Sequence, residues 1–274
     1  MESFKGILYP ARLPSFHRLP APPSVAELVQ WFWLPEWDIE PGRTSRQHLI
    51  AYPGSNLVVQ RGGVVFSGPT TRAAHRDLTG RGWAVGALLR PAAVPLFTDC
   101  PSSLRDTEVA VAAEGLHLSA SEVMDTHDGD TRRERAVDAF AGWLACFAGP
   151  AVSEEALLAN RLMDVIGSDP SVVRVEDAAS ALAVSQRTLQ RVARKYIGLS
   201  PAALIRRRRL QDAAERTRLD ASADLAAIAA ELGYADHAHL TNDFQKYLGF
   251  TPSTYRRMVA GDPVIEPVEI RRAR

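Results

Sequence analysis

The last hundred residues of this chain hold one helix-turn-helix pattern written twice, and a duplication of that kind leaves few folds open. The first copy starts at Val175 and passes Ala178-Ala179-Ser180-Ala181-Leu182-Ala183-Val184-Ser185 into Gln186-Arg187-Thr188-Leu189-Gln190-Arg191. The second starts at Leu225 and passes Ile228-Ala229-Ala230-Glu231-Leu232-Gly233-Tyr234-Ala235-Asp236 into His237-Ala238-His239-Leu240-Thr241-Asn242. Before the turn the copies lie 50 residues apart, pairing Val175 with Leu225, Ala179 with Ala229 and Leu182 with Leu232. After it they lie 51 apart, pairing Leu189 with Leu240, Tyr196 with Tyr247, Gly198 with Gly249 and Pro201 with Pro252, so the second turn carries one extra residue. Two helix pairs on one chain are the arrangement needed to read two successive faces of a DNA duplex.

Each position in the pattern has a physical reason. Ser185 and Asp236 stand where an N-cap belongs, with side-chain oxygens able to accept the orphan amides of the next helix. Gly233 suits a turn that needs positive φ, and Ala183 at the matching place is less comfortable. Leu189, Val192, Ala193 and Tyr196 share one helical face, as do Leu240, Phe244, Tyr247 and Leu248. The opposite faces carry Gln186, Arg187, Gln190, Arg191 and Arg194 in one copy, and His237, Ala238, His239, Thr241, Asn242 and Gln245 in the other. Such donor-rich faces suit the major groove, where Arg reads guanine and Asn or Gln reads adenine. One polar face alone would be a solvated surface; two at matching positions favour DNA. Between the copies Ser200-Pro201 caps a helix running to about Arg218, roughly 25 Å long. Arg206, Arg207, Arg208 and Arg209 on it point in four directions, so at most two face DNA and the others form salt bridges.

Charge follows the same division. The chain of 274 residues is neutral overall, yet residues 174–260 hold fourteen Lys and Arg against nine Asp and Glu, while residues 1–173 hold fifteen against twenty. The basic part is the part with the repeat.

The first 110 or so residues differ in kind. Short β-branched and aromatic runs at 29–34, 57–60, 63–66 and 83–89 alternate with Pro-Gly and Gly-Gly turn signals. They predict an antiparallel barrel or sandwich, cupin-like in outline, with a hairpin at Gly62-Gly63. An amphipathic helix follows over 132–147, with Val137, Phe140, Leu144 and Phe147 on one face, and ends at Gly149-Pro150; Ser153 then caps another. The fold class is α+β: residues 1–149 form a β-rich sensory or dimerisation domain with a helical connector, 153–260 an all-α reader with two helix-turn-helix units, and 261–274 a tail.

No catalytic or metal constellation stands out. His17, His48, His75, His117 and His127 are isolated, and an open metal site needs three or four clustered donors. The chain has no G-x-S-x-G, P-loop or G-x-G-x-x-G motif. We expect no metal, no cofactor and no enzyme. Trp31, Trp33, Tyr52 and Trp83 are the candidate lining of an organic-ligand pocket, set against a role as core or dimer contact. Cys100 and Cys146 fit inert buried thiols. No apolar run reaches the ~20 residues of a membrane helix and no signal peptide opens the chain, which points to the cytoplasm.

The segment Ile228-Ala229-x-x-Leu232-Gly233-Tyr234-x-Asp236-x-x-x-Leu240-x-x-x-Phe244-x-Lys246-x-x-Gly249-Phe250-Thr251-Pro252-x-x-Tyr255-Arg256 resembles the DNA-binding domain of AraC/XylS-type transcription regulators. The resemblance implies two helix-turn-helices in adjacent major grooves and an N-terminal domain that binds an effector or dimerises. It implies base contacts by Arg187, Gln190 and Arg191, and by His237, Ala238, His239, Thr241 and Asn242. Phosphate contacts would come from Arg194, Lys246 and either Arg206 or Arg209. The implied partners are double-stranded DNA, a small organic effector, a second copy of the chain and, for an activator, RNA polymerase; a membrane is not among them. Two positions depart from the family: Ala193 stands where Phe is usual, and Asn242 where Arg is usual. The competing reading is a small-molecule-binding or enzymatic barrel whose helical half dimerises or docks a protein. A DNA-repair enzyme is disfavoured by the missing nucleophilic cysteine motif.

Overall fold

Turn-rich, β-branched sequence gives way to alanine-rich helical sequence, and the architecture follows that change. A computed structural model describes residues 15–49, 52–126, 129–149, 151–220 and 222–259. Its strands are β1 (Ser15–Pro20), β2 (Val29–Asp38), β3 (Thr44–Leu49), β4 (Asn56–Gln60), β5 (Gly63–Ser67), β6 (Ala74–Thr79), β7 (Arg81–Leu89) and β8 (Glu108–Val111). Six form an antiparallel sheet in the order β1-β2-β7-β4-β5-β8, and β3 pairs with β6. Among the described residues the layers form an open sandwich rather than a closed barrel, with β1 and β8 as edges. Arg76 of β6 ties the small pair to Gln60 at 3.1 Å and to Glu108 at 2.7 Å. The β4–β5 hairpin turns at Arg61-Gly62, one residue before the expected pair, because Gln60 pairs with Gly63.

Strand alternation decides which aromatics are core. Phe32 and Leu34 of β2 are fully buried, and Phe32 meets Phe140 edge to face at 5.3 Å. Phe140 lies on α2 (Asp130–Ala148), which packs with α1 (Glu114–Thr126) over this face. Arg132 and Arg133 of α2 both donate to Glu36 of β2. Phe147, expected on the buried face of α2, is 48% exposed and stacks on Trp143 near the helix end. Both thiols are exposed, against expectation: Cys146 lies on α2 one residue before that exposed Phe147, and Cys100 precedes a single 3-10 turn.

The helical part has two further cores. The first gathers α3 (Glu154–Ser168), α4 (Val175–Ala181), α5 (Gln186–Tyr196) and the start of α6 (Pro201–Leu219) through Leu162, Leu189, Val192, Leu204 and Ile205. The second gathers the end of α6 with α7 (Leu225–Glu231), α8 (His237–Leu248) and α9 (Pro252–Val259) through Leu210, Ile228, Phe244 and Tyr255. Ser153, Ser185, Ser200 and Asp236 cap their helices as the sequence predicts, accepting from Ala156, Thr188, Ala203 and His239.

The four arginines occupy the waist of α6 between these cores, and each goes a different way. Arg206 grips Asp243 of α8 with two nitrogens, one at 2.7 Å, and Asp243 is wholly buried. Arg207, 3% exposed, lies 3.6 Å from the Tyr247 ring centroid and donates to the Thr70 carbonyl of the N-terminal domain at 2.8 Å. Burial pushes its pKa down to about 10, which still leaves it charged at neutral pH. Arg208 donates to the Val172 carbonyl at 2.9 Å and pairs with Asp212 at 3.3 Å. Arg209 lies over Tyr234, 4.5 Å from its centroid. One residue per 100° makes the helix a hub rather than a charged stripe.

Two stability measurements check this picture. Ala183 takes φ 52° where Gly233 takes φ 72°, so Ala183→Gly should stabilise the fold by about 0.5–1 kcal/mol in denaturant titration; a loss would contradict the strain. Asp243→Ala should cost about 2–3 kcal/mol, below the value for a wholly buried pair because 42% of the Arg206 side chain stays exposed. A cost under 1 kcal/mol would remove the pair from the hub.

Candidate nucleic-acid interface

In the first unit α5 buries Leu189, Val192, Ala193 and Tyr196 and leaves Gln186, Arg187, Gln190, Arg191 and Arg194 exposed. Gln186, Arg187, Gln190 and Arg194 have no side-chain partner among the described residues, so their donors are available. Arg191 is already engaged: it pairs with Glu155 of α3, which also binds Lys195 at 2.5 Å and the Tyr196 hydroxyl at 3.0 Å. A duplex would compete with Glu155 for that guanidinium, so Arg187 is the cleaner base-reading candidate.

In the second unit α8 exposes His237, Ala238, Asn242, Gln245 and Lys246. His239 and Thr241 are half-buried and flank the exposed face rather than lying on it. His239 stands edge-on to Tyr234 at 5.2 Å, with Arg206 Nη2 3.3 Å from its ring nitrogen. The Thr241 hydroxyl is buried without a partner. The cause is helical geometry: His239 lies one turn before Asp243, which Arg206 draws toward α6, and Thr241 one turn before the buried Phe244. Lys246 closes the exposed face, its amine exposed and its carbonyl accepting the Ala73 amide at 3.1 Å.

That last contact belongs to an interface the sequence did not announce. The N-terminal domain touches the far ends of both exposed helices. Arg105 Nε donates to the Gly198 carbonyl, just past α5, at 2.9 Å. Ala73 reaches α8 and Thr70 takes Arg207. Gly198 has φ 79°, and a Cβ there would lie 2.7 Å from the Pro101 backbone, so glycine serves both the turn and the approach. The contacting loops are braced by Asp106, which accepts from the Thr71 amide at 2.6 Å and hydroxyl at 2.5 Å. On the other side of the first unit, buried Asn160 of α3 accepts from the Ala92 amide at 3.0 Å and donates to the Glu27 carbonyl at 2.9 Å, while Arg90 pairs with Asp164 at 2.5 Å.

The four candidate ligand aromatics do not line one pocket. Trp31 and Trp33 lie on the sheet face away from α2, and Tyr52 meets Trp31 at 5.7 Å. Burial pushes the Tyr52 phenol up to about 12. Trp83 is on the opposite face, 5% exposed, donating to Asp125 of α1 at 3.0 Å. It is core, because Trp33 pairs with Gly86 and the three-residue step to Trp83 reverses the face. His48 and His75 are opposite one another in the β3–β6 register, and the sequence gives no hint of that pairing. Among the described residues no group of three or more His, Cys, Asp or Glu is placed to hold a metal. No described helix is long and apolar enough to cross a membrane. His127 lies outside the described residues.

Known proteins resemble parts of this chain. Residues 178–258 match a family described as a helix-turn-helix domain, and residues 17–110 match a domain of unknown function, DUF6597. Over 142 residues, 52% of this chain, it is 37% identical to a "Putative AraC-like transcription regulator" of Streptomyces antibioticus and 34% identical to one of Streptomyces lividans. The matches span 44% and 43% of those proteins, less than half the length of each relative. ToxT from Vibrio cholerae O395 aligns over 90% of this chain and 97% of its own, with a TM-score of 0.42 and 12% identity. Residues 178–258 are thus a helix-turn-helix domain, similar over a shared stretch to putative AraC-like regulators.

Proposed function

We propose that the protein is a cytoplasmic, sequence-specific transcription regulator that reads two successive major-groove segments of double-stranded DNA. The observation that carries this is the pair of capped helices, α5 and α8, mounted on one 19-residue helix with donor-rich faces left exposed. Nineteen residues span about 28 Å, against roughly 34 Å for one turn of B-DNA. Arg187, Gln190 and Asn242 are the base-reading side chains; Arg194 and Lys246 supply sequence-independent attraction to phosphates.

The N-terminal domain is the input. Contacts from it reach both reading helices, so a change in how it sits shifts their spacing, and linkage then couples its ligand to DNA affinity in both directions. A small organic effector near Trp31, Trp33 and Tyr52, or a second copy of the chain, would act through this route. RNA polymerase is the further partner if the protein activates. Residues 153–260 are the reading domain and 1–149 the sensory or dimerisation domain.

Selection of bound duplexes from a randomised library tests the reading directly: two conserved boxes about one helical turn apart should emerge. Arg187→Ala should then cost about 1–3 kcal/mol on the selected duplex and relax preference at one or two base pairs of one box. Equal loss on selected and random duplex would make Arg187 a phosphate contact only.

A further inference from the structure

The duplication lets the two exposed faces be compared position by position. At the 51-residue offset Arg187 corresponds to Ala238, Arg191 to Asn242 and Arg194 to Gln245, and all six side chains are exposed. Steps of three and four residues place each set on one outward stripe of its helix. The stripe of α5 is cationic at every one of these places, whereas that of α8 offers a methyl group and two amides. A cation is kept in both copies at Lys195 and Lys246, and each stands in the last turn of its helix. Base edges are met by the first turns of a reading helix, so Arg187 and Ala238, each second in its helix, hold equivalent deep positions. One turn further, Asn242 stands open on α8. Its counterpart Arg191 is drawn by Glu155 toward Lys195 and Tyr196, the side of α5 that packs on α3. Arg187 is therefore the guanidinium left to read bases from α5.

We propose that the duplex read by this protein is polar in composition: a box with a conserved guanine under α5, and a box built on A·T pairs under α8. The inference rests on the DNA-reading function proposed above and adds the base chemistry of each box. A guanidinium donates two hydrogen bonds to guanine O6 and N7, which assigns the guanine to Arg187. A side-chain amide donates to adenine N7 and accepts from its N6, which assigns an adenine to Asn242. The Ala238 methyl has no polar group to offer and packs on a thymine methyl. Ala238 and Asn242 are four residues, about 6 Å, apart along α8, so they meet neighbouring base pairs.

The test uses the full chain and the duplexes it enriches from a randomised library. Arg187→Ala and Asn242→Ala show which box each helix reads, since each should relax preference in one box and leave the other intact. The box that answers to Arg187 should hold a conserved G·C pair, and the box that answers to Asn242 conserved A·T pairs. Asn242→Ala should cut the preference for its adenine about 10-fold. Asn242→Arg, taken through a fresh selection, should move that pair from A·T to G·C, because α8 then carries the guanine-reading fork. Uracil in place of the thymine at Ala238 removes one methyl and should weaken the wild type about 4-fold; Ala238→Gly should be indifferent to the exchange. A conserved guanine in the box that answers to Asn242 would overturn the proposal. So would Asn242→Arg that still selects A·T at an unchanged melting temperature, or a second box insensitive to uracil at every thymine. A wild type that enriches no duplex sequence overturns the regulator reading itself, which separates the two failures.

Discussion

Everything in the helical half depends on how α6 distributes four consecutive positive charges. Placed on one face they would repel each other and the two helix-turn-helix units would have nothing fixed between them. Helical rotation instead sends Arg206 to the buried Asp243, Arg207 to Tyr247 and the Thr70 carbonyl, Arg208 to Asp212 and the Val172 carbonyl, and Arg209 to Tyr234. Three of the four thus hold a different neighbour, and charge-assisted hydrogen bonds tolerate little change in distance. The two units therefore keep one spacing, and the N-terminal domain shares in setting it.

The manner of that sharing has a physical logic. The last carbonyls of a helix lack partners and carry partial negative charge. Arg105 supplies a cation and a donor to the carbonyl just past α5, and the Ala73 amide supplies a donor at the end of α8. The N-terminal domain thus holds each reading helix by the end remote from its cap, leaving the exposed faces clear. A shift of the Asp106-braced loops would be felt at both helix ends together. Conversely, DNA that draws Arg191 away from Glu155 would loosen the tie between α5 and α3.

The parts of this structure legible in the sequence are the local ones. The duplication, the caps at Ser185, Ser200 and Asp236, and the apolar faces of α5 and α8 follow from 3.6-residue periodicity and from which side chains can accept an orphan amide. Even the discomfort of Ala183 was readable, because its partner in the repeat is glycine. The remainder rests on long-range pairing. Arg207 meets Thr70 across 137 positions, and no spacing rule connects a loop in a β domain to a helix waist. The side of the sheet that receives Trp83 depends on register with Trp33, which alternation alone does not give in a strand buried on both faces. His239 and Thr241 were assigned to the exposed face by spacing; His239 is drawn in beside Asp243, whose pairing with Arg206 only the packed structure reveals, and Thr241 lies one turn before the buried Phe244.

The central claim is that α6 fixes the two reading units at one separation and one rotation. The most direct measurement is affinity for the selected duplex with base pairs inserted between its two boxes. Five added pairs turn one box to the far side of the duplex, and the rigid hub predicts that affinity falls to that of a duplex carrying a single box. Undiminished affinity with five added pairs would show that the units move independently, and would contradict the account.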